Sequence, residues 1–149
     1  MLLRVIQFLA VVVTALALVP GGAHLFALPN KITLAMDQYF IVQSLYRGWF
    51  LFGAMLLAAL ILNFALAILV FYQTRPFAFA ALACLCIGLT LVIFFIWTYP
   101  ANAETNNWTE VPRNWERLRT QWEYSHAANA VILFVALCSS TLSVLTTRE

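Results

Sequence analysis

Charge is what this chain has least of. Only 9% of its 149 residues are Asp, Glu, Lys or Arg, while 64% are hydrophobic. A soluble domain carries about 25% charged residues so that its surface can face water. This composition excludes an ordinary soluble globule, a disordered tail and a nucleic-acid module. Cysteine is scarce as well. Cys84 and Cys86 would point about 160° apart on a helix, which excludes a paired ligand set. With Cys138 they make three thiols inside apolar runs, and no disulfide framework follows. Histidine is rare too, with only His24 and His126. No internal repeat is present, and the chain reads as one domain.

What is present is length without charge. Arg4 to Lys31 leaves 26 uncharged residues, Arg47 to Arg75 leaves 27, Arg75 to Glu104 leaves 28 and Glu123 to Arg148 leaves 24. About 20 apolar residues cross the hydrocarbon core as a helix. Backbone in lipid must bond within its own segment or in a closed barrel. Barrel strands alternate in polarity over about 10 residues, and these runs do not. The expected fold is all-α, a four-transmembrane-helix bundle.

The expected spans are residues 3–28, 49–72, 77–99 and 127–146. Pro20-Gly21-Gly22-Ala23 after an apolar run resembles a signal-peptide cleavage site. The run continues to Leu28, however, and the segment is read as a retained first helix. Pro20 is expected to kink it, and Gly21 and Gly22 to allow close packing. The third helix is expected to stop at Pro100. Residues 100–126 form a long polar segment that becomes an amphipathic extension of helix four. That extension should start at Pro112, with Thr109 as its cap. Residues 29–48 should carry a helical extension of helix two. Mid-membrane Asn63, flanked by Ala59 and Ala67, is expected to hold helices together.

This connectivity sends both polar segments to one face of the membrane. The other face keeps only the termini and the turn 73–76. The bilayer is the expected partner, in the inner (plasma) membrane, with both termini cytoplasmic. A homo-oligomer or a larger membrane complex is compatible with the sequence.

A site, if present, should lie at the elaborated end. Trp115, Arg119, Trp122, His126 and Asn129 recur at spacings of 4, 3, 4 and 3 and share one helix face. Glu123 can reach His126, and Arg119 can reach Glu123. Two readings stand. Tryptophan and arginine are common at headgroup level, but ionisable groups at membrane depth usually face the bundle interior and mark function. His24 should lie at the same level as His126. The pair could be hydrogen-bonded packing residues or an acid and base. With Glu123 they could make a two-histidine, one-carboxylate metal site for a first-row metal, or they could grip haem b. No cofactor is the expectation. Gln43, Tyr46 and Arg47 could close the site opposite helix four, or anchor the chain in the interface.

These residues also carry a resemblance. Gly22-Ala23-His24, Tyr46-Arg47-Gly48-Trp49, and Tyr99-Pro100-Ala101-Asn102 with Asn106, Asn107 and Trp108 lead to Arg119-x-x-Trp122-x-x-x-His126. Together they resemble the anthrone-oxygenase-like family of small four-helix membrane proteins, across most of the chain. The resemblance implies oxidation of anthrones to anthraquinones without an obvious cofactor. It carries over Asn107, Arg119, Trp122 and His126 as site residues. The family pattern usually has a basic residue shortly after the histidine, where this chain carries Asn129.

The functional expectation is an oxidoreductase-like protein binding a flat apolar phenol, anthrone or quinol. Trp108, Trp115 and Trp122 would stack on it, and His24 and His126 would accept protons. Arg119 would steady a phenolate. The rival is a non-catalytic structural or assembly subunit of a larger complex. An enzyme should enclose a cavity at both histidines. A docking module should have a filled core and outward tryptophans.

Overall fold

The computed structural model describes residues 1–148. Its long apolar runs fold as helices, and no strand occurs among the described residues. Four helical segments are long and apolar enough to cross a membrane: Leu2–Lys31, Trp49–Leu69, Thr74–Glu104 and Trp115–Thr146. The chain is thus an all-α membrane protein built on a helical bundle. Large apolar side chains such as Phe8, Phe26, Ile61, Phe64, Leu85 and Phe95 are exposed on its outside. A bilayer, not water, is the medium that suits them.

Helix α1 covers Leu2–Lys31 and the short α2 covers Met36–Gln43. Helix α3 covers Phe52–Leu69, after a 3-10 turn at Trp49–Leu51. Helix α4 covers Thr74–Ile93, α5 covers Tyr99–Glu104 and α6 covers Trp115–Thr146. Helix α1 packs on α3 and α6, and α4 packs on the same two, so the long helices close a ring. Small residues let the backbones approach. One core cluster joins Ala10, Leu66, Ala67, Val70 and Ala80. A second joins Ala17, Ala59, Ile87, Leu133 and Ala136. Asn63 Nδ2 donates to Thr14 Oγ1 (2.9 Å) and to Ala59 O (2.9 Å), binding α3 to α1 as expected. Of the two adjacent glycines only Gly21 marks a close approach. A Cβ there would stand 3.4 Å from Ala130 Cα, whereas one on Gly22 would meet nothing within 4 Å.

Several boundaries differ from expectation, each for a local reason. Helix α1 runs three residues past Leu28 to Lys31, with Pro20 and Pro29 inside it. Neighbouring helices make such prolines tolerable. The third span does not stop at Pro100. A π-helical turn at Phe94–Thr98 precedes it, and helix resumes to Glu104. In a regular helix the proline ring would clash with the carbonyl four residues earlier, here that of Ile96. The widened turn relieves that clash. Residues 29–48 do not extend helix two. Helix α2 stands apart from α3, separated by Gly48 at φ +89°. Such a left-handed residue ends one helix before the next begins.

Helix α6 starts at Trp115 rather than Pro112, and Asn114 precedes it. No side chain caps it, and the Thr109 hydroxyl instead donates to Asn106 O (2.7 Å). Even so, α6 has 32 residues, about 48 Å at 1.5 Å per residue. That exceeds the roughly 30 Å hydrocarbon core, so α6 is longer than a crossing requires.

Candidate functional site at the elaborated end

The last turns of α1 bring His24 and Lys31 to the bundle end. They are seven residues apart, two helical turns, and so share a face. Helix α6 brings Trp115, Arg119, Trp122, Glu123 and His126. Helix α2 and the turn after it bring Tyr39, Gln43 and Tyr46. A third core cluster results, of Tyr39, Ala101, Trp108, Leu118 and Trp122, with Tyr46 and Trp115 packed on it.

The two imidazoles meet. Their ring centroids are 4.3 Å apart and tilted by 35°. Tyr46 lies 4.4 Å from His24, Trp49 5.5 Å and Trp122 4.8 Å. Trp122 is also 4.2 Å from His126. His24 is buried, and its Nδ1 has no hydrogen-bond partner. His126 is half-buried.

Beside this cage lies a closed ring of four polar side chains from three helices. Lys31 Nζ is 2.7 Å from Glu123 Oε1, with both side chains buried. Tyr39 donates its hydroxyl to the same oxygen (2.9 Å). Gln43 Nε2 donates to Tyr39 Oη (2.6 Å), and Lys31 Nζ reaches Gln43 Oε1 at 3.5 Å. A lysine taken into an apolar interior needs its counter-charge within contact. Glu123 therefore turns to Lys31, and not to His126 or Arg119 as the spacing on α6 had suggested. Burial, reinforced by the Glu123 carboxylate, holds the Tyr39 phenol well above its ordinary range. Burial and Glu123 push Tyr46 up in the same direction.

Lys31 is also the cation of the cage. Its Nζ lies 4.4 Å from the Tyr46 ring centre and 4.7 Å from that of Trp122. Arg119 stands further out. Its guanidinium stacks on Trp115 at 4.6 Å and donates to Leu34 O at 2.8 Å. Asn102 takes hydrogen bonds from two indoles on one Oδ1, Trp122 Nε1 at 2.8 Å and Trp108 Nε1 at 3.1 Å. Trp108 belongs to three successive left-handed residues, Asn106, Asn107 and Trp108, with φ of 46°, 54° and 65°. Asparagine tolerates that region, but tryptophan pays about 1–3 kcal/mol for it. Burial against Tyr39 at 5.3 Å and a bond from Trp108 N to Thr105 Oγ1 (3.0 Å) hold it there.

His24, His126, Trp122, Trp108, Trp115, Tyr46 and Glu123 are thus assembled at one place, with Arg119 at its margin. Asn129 lies half-buried one turn below His126, its Oδ1 unpartnered. Asn107 and Arg47 are exposed and outside the cluster. Among the described residues no group of three His, Cys, Asp or Glu side chains is spaced to hold a metal ion. The two imidazoles lie in direct ring contact with each other. Trp108 and Trp122 are buried, whereas Trp97 is exposed. The hollows of about 690 Å³ between α4 and α6 and about 650 Å³ near the termini border neither histidine.

Sequence reasoning missed Lys31, Tyr39, Trp49 and Asn102. The seven-residue spacing from His24 to Lys31 was the available signal for the lysine. Asn102 stood within the resemblance motif Tyr99-Pro100-Ala101-Asn102, but its role comes from two indoles brought together by folding.

Comparison with family models, curated proteins and solved structures finds no match to this chain.

Proposed function

We propose that this chain is an oxidoreductase-like membrane protein, akin to the anthrone oxygenases, that binds a flat oxidisable phenol, anthrone or quinol at the elaborated end. One observation carries the reading. Two imidazoles from the first and last spans meet at 4.3 Å inside an aromatic cage, and one of them has a buried nitrogen without a partner. The gap excludes a ligand from between the rings and neither hollow borders them, so binding requires the aromatic cage around His126 and Trp122 to open.

His126 acts there as the base. It takes a proton from the hydroxyl, or from the methylene of an anthrone, and the anion left behind is electron-rich enough to reduce dioxygen. For anthrone the balance is one dioxygen consumed. One oxygen atom becomes the new carbonyl, and the other leaves as water with the two methylene hydrogens. Lys31 supplies positive potential beside Trp122, where a dry setting makes such help strongest. No cofactor enters this scheme. A first-row metal ion on His24, Glu123 and His126 is the alternative, and it requires Glu123 to leave Lys31. Met1, Arg4, Tyr72 and Arg148 line one hollow at the plain end, which supports both termini on one side. We place that side in the cytoplasm and the protein in the inner membrane.

The test is oxygen uptake and anthraquinone absorbance with nanodisc-embedded protein and added anthrone. His126→Ala should cut turnover at least about 100-fold, the usual worth of a positioned base. Unchanged turnover in that variant, or none in the native protein, overturns the reading. A non-catalytic subunit of a larger membrane complex is then what remains.

A further inference from the structure

The hollow of about 690 Å³ lies on the face of α6 away from His126, between α6 and the Ile93–Trp97 stretch. Its wall changes character with depth. Along α6 the lining runs from Arg117 through Gln121 and Tyr124 to Ala128, with Trp97 and Ile93 on the facing helix. Arg117 to Ala128 spans about 16 Å along the helix, the distance from the headgroup layer into the acyl chains. Side-chain bonds fix the shape. The Trp97 carbonyl, in the π-helical turn, accepts from Gln121 Nε2 (2.7 Å), and Thr98 Oγ1 meets Ser125 Oγ at 2.8 Å. Such turns often mark functional places in helices. Arg117 is exposed, and its side chain has no hydrogen bond or ion pair among the described residues.

A lone cation above an apolar, lipid-facing slot is complementary to a negative headgroup carrying an acyl chain. A zwitterionic headgroup fits less well, because its ammonium group opposes the guanidinium. We propose that this groove seats one anionic phospholipid, its phosphate on Arg117 and one chain along Trp97, Tyr124 and Ile93. Interfacial aromatics and a basic residue at this level suit that ligand.

The test is native mass spectrometry of the full chain from detergent, with phosphatidylglycerol or phosphatidylcholine added. One phosphatidylglycerol should be retained about fivefold more than phosphatidylcholine, the worth of one basic contact near a lipid surface. Arg117→Gln should erase the preference, and Trp97→Ala should weaken retention of both lipids. Arg117 is exposed, so its replacement leaves the fold intact, as the thermal midpoint checks. Equal retention of the two lipids, or a preference that survives Arg117→Gln, overturns the proposal. So does displacement of the lipid by inorganic phosphate, which marks a simple anion site. Cross-linking of Thr120→Cys between two copies also overturns it, since a second chain then fills the groove.

Discussion

At the plain end of the bundle, Gln73 exchanges two hydrogen bonds with the backbone of Arg148, at 3.0 and 2.8 Å. Nearby Ser143 donates to Pro76 O at 2.8 Å. Every one of these groups is neutral, and the Gln73 pair lies in an exposed position. At the elaborated end, Lys31 and Glu123 are buried as ions at 2.7 Å, with Tyr39 and Gln43 completing their ring. The plain end ties down a chain terminus at little desolvation cost. The elaborated end takes charges out of water, a cost that the pair's own attraction barely offsets. Stability alone gives no reason to keep such a pair, whereas an electrostatic site does.

The largest way to break this contrast is Glu123→Ala, which leaves Lys31 buried without its counter-charge. Unfolding in detergent should show a loss of about 3–5 kcal/mol. Next is Asn102→Ala, which orphans two indole donors. We expect about 2 kcal/mol, together with a changed tryptophan emission as Trp108 and Trp122 lose their common acceptor.

A pH series sharpens the comparison further. Because the folded state holds the Tyr39 phenol above its unfolded value of about 10, the unfolded chain releases that proton first. The stabilising contribution is therefore complete below about pH 10 and is lost as pH rises toward the folded value. The thermal midpoint should fall above pH 10 more steeply in the native protein than in Tyr39→Phe. The smallest effect belongs to the plain end. Gln73→Ala should cost about 1 kcal/mol or less, as for a solvent-accessible neutral pair. A loss there equal to that of Glu123→Ala would erase the distinction between the ends.

Much of the architecture was legible because lipid imposes a simple rule, that a charge-free run of sufficient length must become a spanning helix. The same rule placed His24 and His126 at one level, and their rings do meet. Local geometry was less legible. Pro112 and Thr109 carry the signature of a helix start, yet Trp115 begins α6 and no side chain caps it. Pro100 looks like a stop, but the preceding π-helical turn makes room for its ring. Asn107 and Arg47 are polar residues in suggestive motifs, and both face outward. Polarity and spacing alone do not say on which side of a turn a residue falls.

By itself, the order of residues determined four spans, their alternation and the gathering of polar segments at one end, because hydrocarbon tolerates no unpaired backbone and little charge. Only the tertiary structure decided that Glu123 answers Lys31, that Asn102 holds two indoles and that Tyr39 closes the ring. Those contacts join residues up to 92 positions apart, and which partner a buried charge or amide finds depends on how the helices come to rest against one another.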